Sequence, residues 1–190
     1  PLQIVHGVPA KQATPEAMKS LKELGLGGIV CNVAFDSYLR SEANWQTCVE
    51  AVKACAEVGL RVWIYDEDGY PSGAAGDLVL KENRDFEALA LAYDPSRADP
   101  FVVRASYEHT HASNNFYAAR RYPNLIDKAA VACFLQVTHD AYYHRLELFF
   151  GKTIEAFFTD EPSLMAVNIG PLPDEIRKRV RVVDPLDPNV

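Results

Sequence analysis

A pattern of helix, glycine, apolar run and polar tip recurs along the chain. It leads from Gly25, from Gly59 and from Gly151 into short apolar runs with the composition of strands buried on both faces. The interval from Gly25 to Gly59 has the length of one strand–helix–strand unit. Together with an apolar run at residues 2–7, the pattern predicts an α/β fold of about four β/α units. A closed eight-stranded barrel needs about 250 residues, so the chain corresponds to about half of one.

The predicted helices have recognisable ends. Thr14 can cap a first helix, and Pro15 suits its first position. An apolar stripe predicts a second helix over residues 44–58, ended by Gly59. A third and longer helix is predicted from a cap at Asp127 to Phe150, with apolar residues that include Leu135 facing inward.

A long interval separates the second and third repeats, which predicts an insertion at residues 77–120. Within it, residues 86–93 and 101–107 have the composition of short strands, separated by a turn-rich linker. We therefore expect β/α units over residues 1–76 and 121–170, the small β-rich insertion between them, and a tail with a short helix over residues 171–190.

Histidines and cysteines give little indication of a metal site. His109 and His111 alternate in a polar loop, but no third ligand lies near them in the sequence. His139 and His144 lie on the long helix with a spacing that does not place them on one face, which indicates packing or surface roles. The four cysteines form no C-x-x-C pair and fall in apolar patterns, as expected of small buried side chains.

Composition restricts the class of partner. The 190 residues are 48% hydrophobic, which is enough to bury a core, and the formal net charge is −7. An acidic chain without a basic patch argues against nucleic acid or an anionic membrane as a partner. No apolar run reaches the roughly 18 residues of a membrane span, and no signal peptide is visible.

Polar side chains follow each predicted strand. His6 and Asn32 end the first two strands, and we include both as substrate-binding candidates. Carboxylates follow the third and fourth strands, at Asp66, Glu67, Asp68, Asp160 and Glu161. Because ligands bind at the carboxyl ends of parallel strands, we expect the two acidic ends to open into one pocket. A solvated acidic turn is the alternative for an isolated run of this kind.

Two carboxyl groups across a pocket suit hydrolysis of a glycosidic bond, in which one group protonates the leaving oxygen. Glu161 is the candidate acid, because the neighbouring Asp160 is expected to raise the pKa of one member of the pair. The carboxylates of residues 66–68 can bind sugar hydroxyls, and Trp63, Tyr65 or Tyr70 can stack on a sugar ring. Calcium or magnesium bound by the acids is the competing interpretation, although no D-x-D-x-D-G loop is present.

Two motifs resemble those of known sugar hydrolases. Thr159-Asp160-Glu161-Pro162 resembles the Asn-Glu-Pro signature of clan A glycoside hydrolases. The segment Tyr65-Asp66-Glu67-Asp68-Gly69-Tyr70-Pro71-Ser72-Gly73 is similar to a motif of large bacterial, rhamnosidase-like enzymes that degrade polysaccharides. The resemblance extends over about residues 1–170. It implies a (β/α)8 barrel, a β-rich insertion after the third strand, a carbohydrate substrate, no cofactor, and a periplasmic or secreted location.

By the same resemblance, Glu161 takes the acid/base role, and residues 66–68 with Tyr70 line the substrate pocket. The chain departs from the clan in having Asp160 where the clan has Asn. It also has no seventh strand, from which the clan takes its nucleophile. We therefore expect these 190 residues to be weakly active alone. Their exposed edges would be covered by a carboxyl-terminal half of the barrel or by a second copy.

Two other functional classes stay open at this stage. A carbohydrate-binding module would use the same acids without turnover, and a metal-dependent hydrolase would lose activity with a chelator.

Overall fold

The computed structural model describes residues 1–93, 98–105, 107–108 and 120–162. In the described residues the strands are β1 (Leu2–His6), β2 (Gly28–Asn32), β3 (Arg61–Tyr65), β4 (Leu89–Tyr93), β5 (Phe101–Ala105), β6 (Tyr107–Glu108), β7 (Arg120–Arg121) and β8 (Ile154–Phe158). The α-helices are α1 (Pro15–Glu23), α2 (Glu42–Val58), α3 (Leu78–Glu82), α4 (Lys128–Leu135) and α5 (Ala141–Leu146), with a π-helical turn at Gln136–Asp140.

Four of these strands form a parallel sheet in the order β1-β2-β3-β8. The four strands therefore follow one another in the sheet in the same order as in the sequence. The registers pair Leu2 with Gly28 and Ile29 with Val62, and a register shift follows the pair Val62 and Ile154. The predicted α/β fold with a parallel sheet is confirmed.

Helix α1 begins where the sequence predicted. The Thr14 hydroxyl accepts a hydrogen bond from the backbone N–H of Ala17 at 3.3 Å, and Pro15 is the first helical residue. The spacing of Leu24 from Met18 and Leu21 is that of one helical face and places Leu24 inward, but α1 ends at Glu23 and the side chain of Leu24 is 79% exposed. A residue beyond the last helical turn no longer follows the helical period that placed it inward.

Helix α2 begins two residues earlier than predicted. Ser41 caps it by accepting a hydrogen bond from the N–H of Asn44 at 3.3 Å, so Glu42 is the first helical residue. Its end is as predicted, since Gly59 adopts a left-handed conformation with φ of 73°. That conformation is a common helix terminator because glycine has no Cβ to clash.

The core lies between the sheet and one layer of helices. Alternate residues of the strands point toward the helices and pack in one apolar cluster with α1, α2 and α5. The cluster includes Ile29, Cys31, Val62 and Ile64 from the sheet and Met18, Trp45, Val52, Tyr142 and Leu146 from the helices. The intervening strand residues, among them Val30, Trp63 and Tyr65, face the opposite side of the sheet.

The contacts divide the chain into two compact units. One contains Pro1–Asp68 and Leu135–Asp160, and the other contains Gly69–Phe134 and Glu161–Val190. The first unit holds the whole parallel sheet. The predicted domain boundaries at residues 76 and 120 stay predictions.

The second unit contains two antiparallel strand pairs. Strands β4 and β5 pair from Leu89 with Ala105 to Tyr93 with Phe101, and β6 pairs with β7. The first predicted strand begins three residues late, because Asn83 accepts a hydrogen bond from the N–H of Asp85 and starts a 3-10 turn over Arg84–Phe86. The loop that contains His109 and His111, and the helix and tail predicted after residue 170, lie outside the described residues.

The predicted long helix is divided by the π-helical turn. Its amino-terminal cap is as predicted, since Asp127 accepts a hydrogen bond from the N–H of Ala129 at 2.8 Å. Leu135 is 42% exposed, which corrects its predicted inward position, whereas the buried residues are Ala130, Phe134, Thr138, Tyr142 and Leu146. Their four-residue spacing through a π turn differs from the α-helical period that had placed Leu135 inward.

Three of the four cysteines behave as predicted. Cys31, Cys48 and Cys55 are buried free thiols in the core, and Cys133 is half-buried. Burial raises the pKa of the Cys55 thiol to about 12, so this thiol is protonated at neutral pH.

Gly28, the first residue of β2, provides a test of strand packing. A Cβ atom at this position would lie 2.1 Å from the carbonyl oxygen of Arg61 on β3. We expect Gly28→Ala to lower the free energy of unfolding by at least about 3 kcal/mol, measured by urea denaturation. In the matched variant Gly27→Ala the nearest atom is the Pro1 oxygen at 3.6 Å, and stability should change by less than about 1 kcal/mol. Equal losses in both variants would contradict this account of the packing.

Candidate functional site

The two acidic strand ends lie side by side at the carboxyl edge of the parallel sheet. Tyr65 on β3 is in register with Phe158 on β8, so the residues that follow each strand emerge together. The hydroxyl of Thr159 donates a hydrogen bond to Oδ2 of Asp66 at 2.6 Å. The hydroxyl of Tyr65 donates to Oδ2 of Asp160 at 3.2 Å. Each strand end therefore contributes a donor to the carboxylate that follows the other strand.

Asp66 is a buried carboxylate with two side-chain partners. Its exposed fraction is 0%, and Oδ2 accepts from Thr159 and lies 3.1 Å from Nε2 of His139. A buried charge is stable only when it is hydrogen-bonded or paired, so these contacts explain how the carboxylate is tolerated. Asp66 is thus suited to fixing the geometry of the strand ends.

His139 is a site residue that the sequence did not reveal. It lies in the π-helical turn, and its ring stacks on Phe157 of β8 with centroids 3.8 Å apart and planes inclined by 6°. The stacking holds the ring while Nε2 faces Asp66. Sequence reasoning placed His139 in a packing or surface role because it assumed an uninterrupted α-helix. An isolated histidine on a helix carries no signal of a partner distant in sequence.

Glu67 and Asn32 connect the strand ends through the backbone. Glu67 is 0% exposed, and its Oε1 accepts from the N–H of Asp68 at 2.8 Å. The Asn32 amide donates to the Glu67 carbonyl at 3.0 Å, and its Oδ1 accepts from the N–H of Gly7 at 3.1 Å. Asn32 therefore joins the segments that follow β1 and β3, and it is only 1% exposed.

Tyr65 and His6 are placed by ring contacts. Tyr65 is 2% exposed, and burial, assisted by the charge of Asp160, raises the pKa of its hydroxyl, so the group stays a hydrogen-bond donor. The His6 ring contacts Tyr65 edge-on with centroids 4.7 Å apart. His6 is exposed, but its ring is partly removed from water, and this partial burial lowers the pKa of His6. A hydrogen bond with Asn32 and the charge of Asp160 act in the opposite direction and raise it.

Tyr70 and Glu161 belong to the second compact unit and contact each other there. The Tyr70 hydroxyl donates a hydrogen bond to the Glu161 carboxylate. Glu161 is exposed and has a φ of 40°, in the left-handed region that non-glycine residues rarely adopt. In the same unit the Tyr122 hydroxyl donates to the carbonyl of Ser72, which anchors the segment that follows Tyr70.

Burial separates the predicted site residues into two groups. Asp66, Glu67 and Asn32 are closed to solvent in this structure, so they are positioned to support the site. The accessible residues are His6 and Glu161, which are exposed, and Asp68, Tyr70 and Asp160, which are half-buried.

The cation alternative has no assembled site in the described part of the chain. Over those residues, no group of three or more histidine, cysteine, aspartate or glutamate side chains is placed to hold a metal ion. In the same residues, no helix is long and apolar enough to cross a membrane.

No family model, curated protein or solved structure matches this chain.

Removing the Asp66 carboxylate should destabilise the protein. Asp66→Ala leaves the donors of Thr159 and His139 without their acceptor, and we expect the free energy of unfolding to fall by about 3 kcal/mol. The exposed Asp36 provides a control, because Asp36→Ala should change stability by less than about 0.5 kcal/mol. Urea denaturation at pH 7 measures both, and similar losses would contradict the role assigned to Asp66.

His6 should make stability depend on pH below its ordinary pKa of about 6.5. Because its pKa is lowered in the folded state, the unfolded chain binds more protons in that range. The contribution of His6 to the free energy of unfolding is therefore fully present above pH 6.5, and it is lost as the pH falls through the pKa of His6 in the folded state. His6→Phe keeps a ring at this position but cannot titrate, so its stability should fall less steeply between pH 7 and 5. The exposed His144 is the control, since His144→Gln should keep the wild-type slope. An unchanged slope in His6→Phe would refute the assignment.

Proposed function

We propose that this chain supplies the acid-bearing half of the active site of a glycoside hydrolase, with Glu161 as general acid/base. The observation that carries the proposal is the convergence of the two acidic strand ends, linked by the hydrogen bond from Thr159 to Asp66. Carboxylates gathered at the carboxyl ends of parallel strands are the arrangement that glycosidic bond cleavage requires.

The order of the strands supports a barrel as the wider setting of this site. A doubly wound sheet reverses its strand order at a switch point, whereas β1, β2, β3 and β8 follow one another without reversal. The helices α1, α2 and α5 share one face of the sheet, and apolar residues such as Val30 and Trp63 occupy the other face. In a (β/α)8 barrel that second face is the packed interior. The rest of such a barrel, or a second copy of the chain, would cover the outer edges of β1 and β8.

The accessibility of Glu161 supports its proposed role. An acid that protonates a leaving oxygen must reach that oxygen, and Glu161 is exposed while Asp66 and Glu67 are not. Tyr70 holds the Glu161 carboxylate by a hydrogen bond. Asp160 and Asp68 are half-buried and would bind sugar hydroxyls, together with the exposed His6 at the end of β1. The second catalytic carboxylate is assigned to no residue of this chain.

The test is hydrolysis of a panel of aryl glycosides by the full-length product of the reading frame. Glu161→Gln should lower kcat at least about a hundredfold for substrates that need protonation of the leaving group. Glu155→Gln is a matched control on the same strand, because Glu155 lies near the amino end of β8 and pairs with Arg61 on the surface. The control should keep wild-type kcat, and the 190 residues alone should show little turnover.

Two results would overturn the proposal. Turnover that is unaffected by Glu161→Gln would remove the acid/base assignment. Sugar binding that survives this substitution, with no hydrolysis by the full-length protein, would favour a carbohydrate-binding module instead.

A further inference from the structure

A row of aromatic rings follows the carboxyl edge of the sheet within the first compact unit. Phe35 contacts His6 with centroids 5.0 Å apart, His6 contacts Tyr65 at 4.7 Å, and Tyr65 stacks on Phe158 at 5.8 Å. The row thus passes the ends of β1, β2, β3 and β8. Phe35 is not among the site residues predicted from the sequence, because that prediction rested on the polar residues that directly follow each strand.

Tyr65, in the middle of this row, separates two accessible parts. Tyr65, which the sequence suggested as a stacking residue, is 2% exposed and cannot offer a face to a ligand. His6 is exposed, and Phe35 and Phe158 at the two ends of the row are half-buried. The pair formed by His6 and Phe35 is the part that includes the exposed ring, and Tyr65 connects it to the Asp160 carboxylate.

The loop that carries Phe35 is held at several points. Tyr38, which is 1% exposed, donates its backbone N–H to the Phe35 carbonyl at 3.1 Å. The indole N–H of Trp45 donates to the Leu39 carbonyl at 3.0 Å, and Trp45 is itself in the core. A ring held by an anchored loop loses little conformational freedom when a ligand binds. This rigidity distinguishes Phe35 from a surface aromatic on a loose segment.

The chemistry of the pair suits a sugar ring. One face of a pyranose presents C–H groups that pack on an apolar ring, while its hydroxyls bind carboxylates and neutral polar groups. The lowered pKa of His6 favours the neutral imidazole at pH 7, with one nitrogen that donates and one that accepts. The Asp160 carboxylate near Tyr65 supplies the anionic acceptor.

We propose that Phe35 and His6 form the stacking subsite that binds the pyranose ring of the substrate. The inference rests on the proposed carbohydrate function, and it uses residues of the first compact unit only. Phe35 sets the position of the ring and therefore affects binding of every pyranose, whatever its linkage.

The test measures binding of methyl glycosides of glucose, galactose, mannose, xylose and rhamnose by calorimetry, with sorbitol as an open-chain control. For any glycoside that wild type binds, Phe35→Ala should raise Kd about tenfold, and Phe35→Tyr should restore it to within about threefold. Tyr143→Ala is the matched control, because Tyr143 is an aromatic residue on α5 with 46% exposure. It should leave Kd unchanged, and sorbitol should show no dependence on Phe35.

A second measurement keeps the test valid if Phe35→Ala folds poorly. In NMR spectra the C–H protons of a bound sugar should shift upfield over the Phe35 ring, and Phe35→Leu should abolish that shift while keeping an apolar side chain. Wild-type binding that neither Phe35→Ala nor Phe35→Leu alters would overturn the subsite and leave the proposed function intact. No binding of any glycoside would overturn both.

Discussion

The burial of the Asp66 charge constrains the arrangement of the whole carboxyl edge. A fully buried carboxylate requires partners, and it obtains them from Thr159 after β8 and from His139 in the π-helical turn. Three segments distant in sequence must therefore meet at one oxygen atom. The stacking of His139 on Phe157 and the bond from Tyr65 to Asp160 depend on the same alignment of β3 and β8. The acids at these strand ends are held in place before any ligand binds.

The sheet has two apolar faces but one layer of helices in the first unit. Ile29, Cys31 and Ile64 pack against the helices, while Val30 and Trp63 point the other way. Apolar faces are stable only when covered, and on the second face Val30 is 4% exposed and Trp63 is half-buried. This physical requirement connects the fold to the proposed barrel. Strand β2, with a neighbour on each side, is buried along its whole length.

The acids of the Tyr65 motif differ in function because they differ in burial. Asp66, Glu67 and Asp68 are adjacent carboxylates, but Asp66 and Glu67 are closed to solvent whereas Asp68 is half-buried. The first two stabilise the strand ends through Thr159, His139 and the backbone, whereas the accessible groups can meet a substrate. Aromatic residues separate in the same way, since Tyr65 is buried and Phe35 is accessible. A substrate would therefore meet a surface of rings and half-buried acids supported by buried ones.

Local interactions explain what the sequence alone determined. The Thr14 cap, the Gly59 stop and the apolar strands follow from capping, glycine conformation and hydrophobic period, which act within a few residues. Only the tertiary structure decided that α2 begins at Glu42 and not at Asn44, that Leu135 is exposed, and that His139 faces Asp66. The π-helical turn and the burial of a carboxylate depend on contacts between segments far apart in the chain. The sequence pattern within one segment does not indicate which distant segment it will contact.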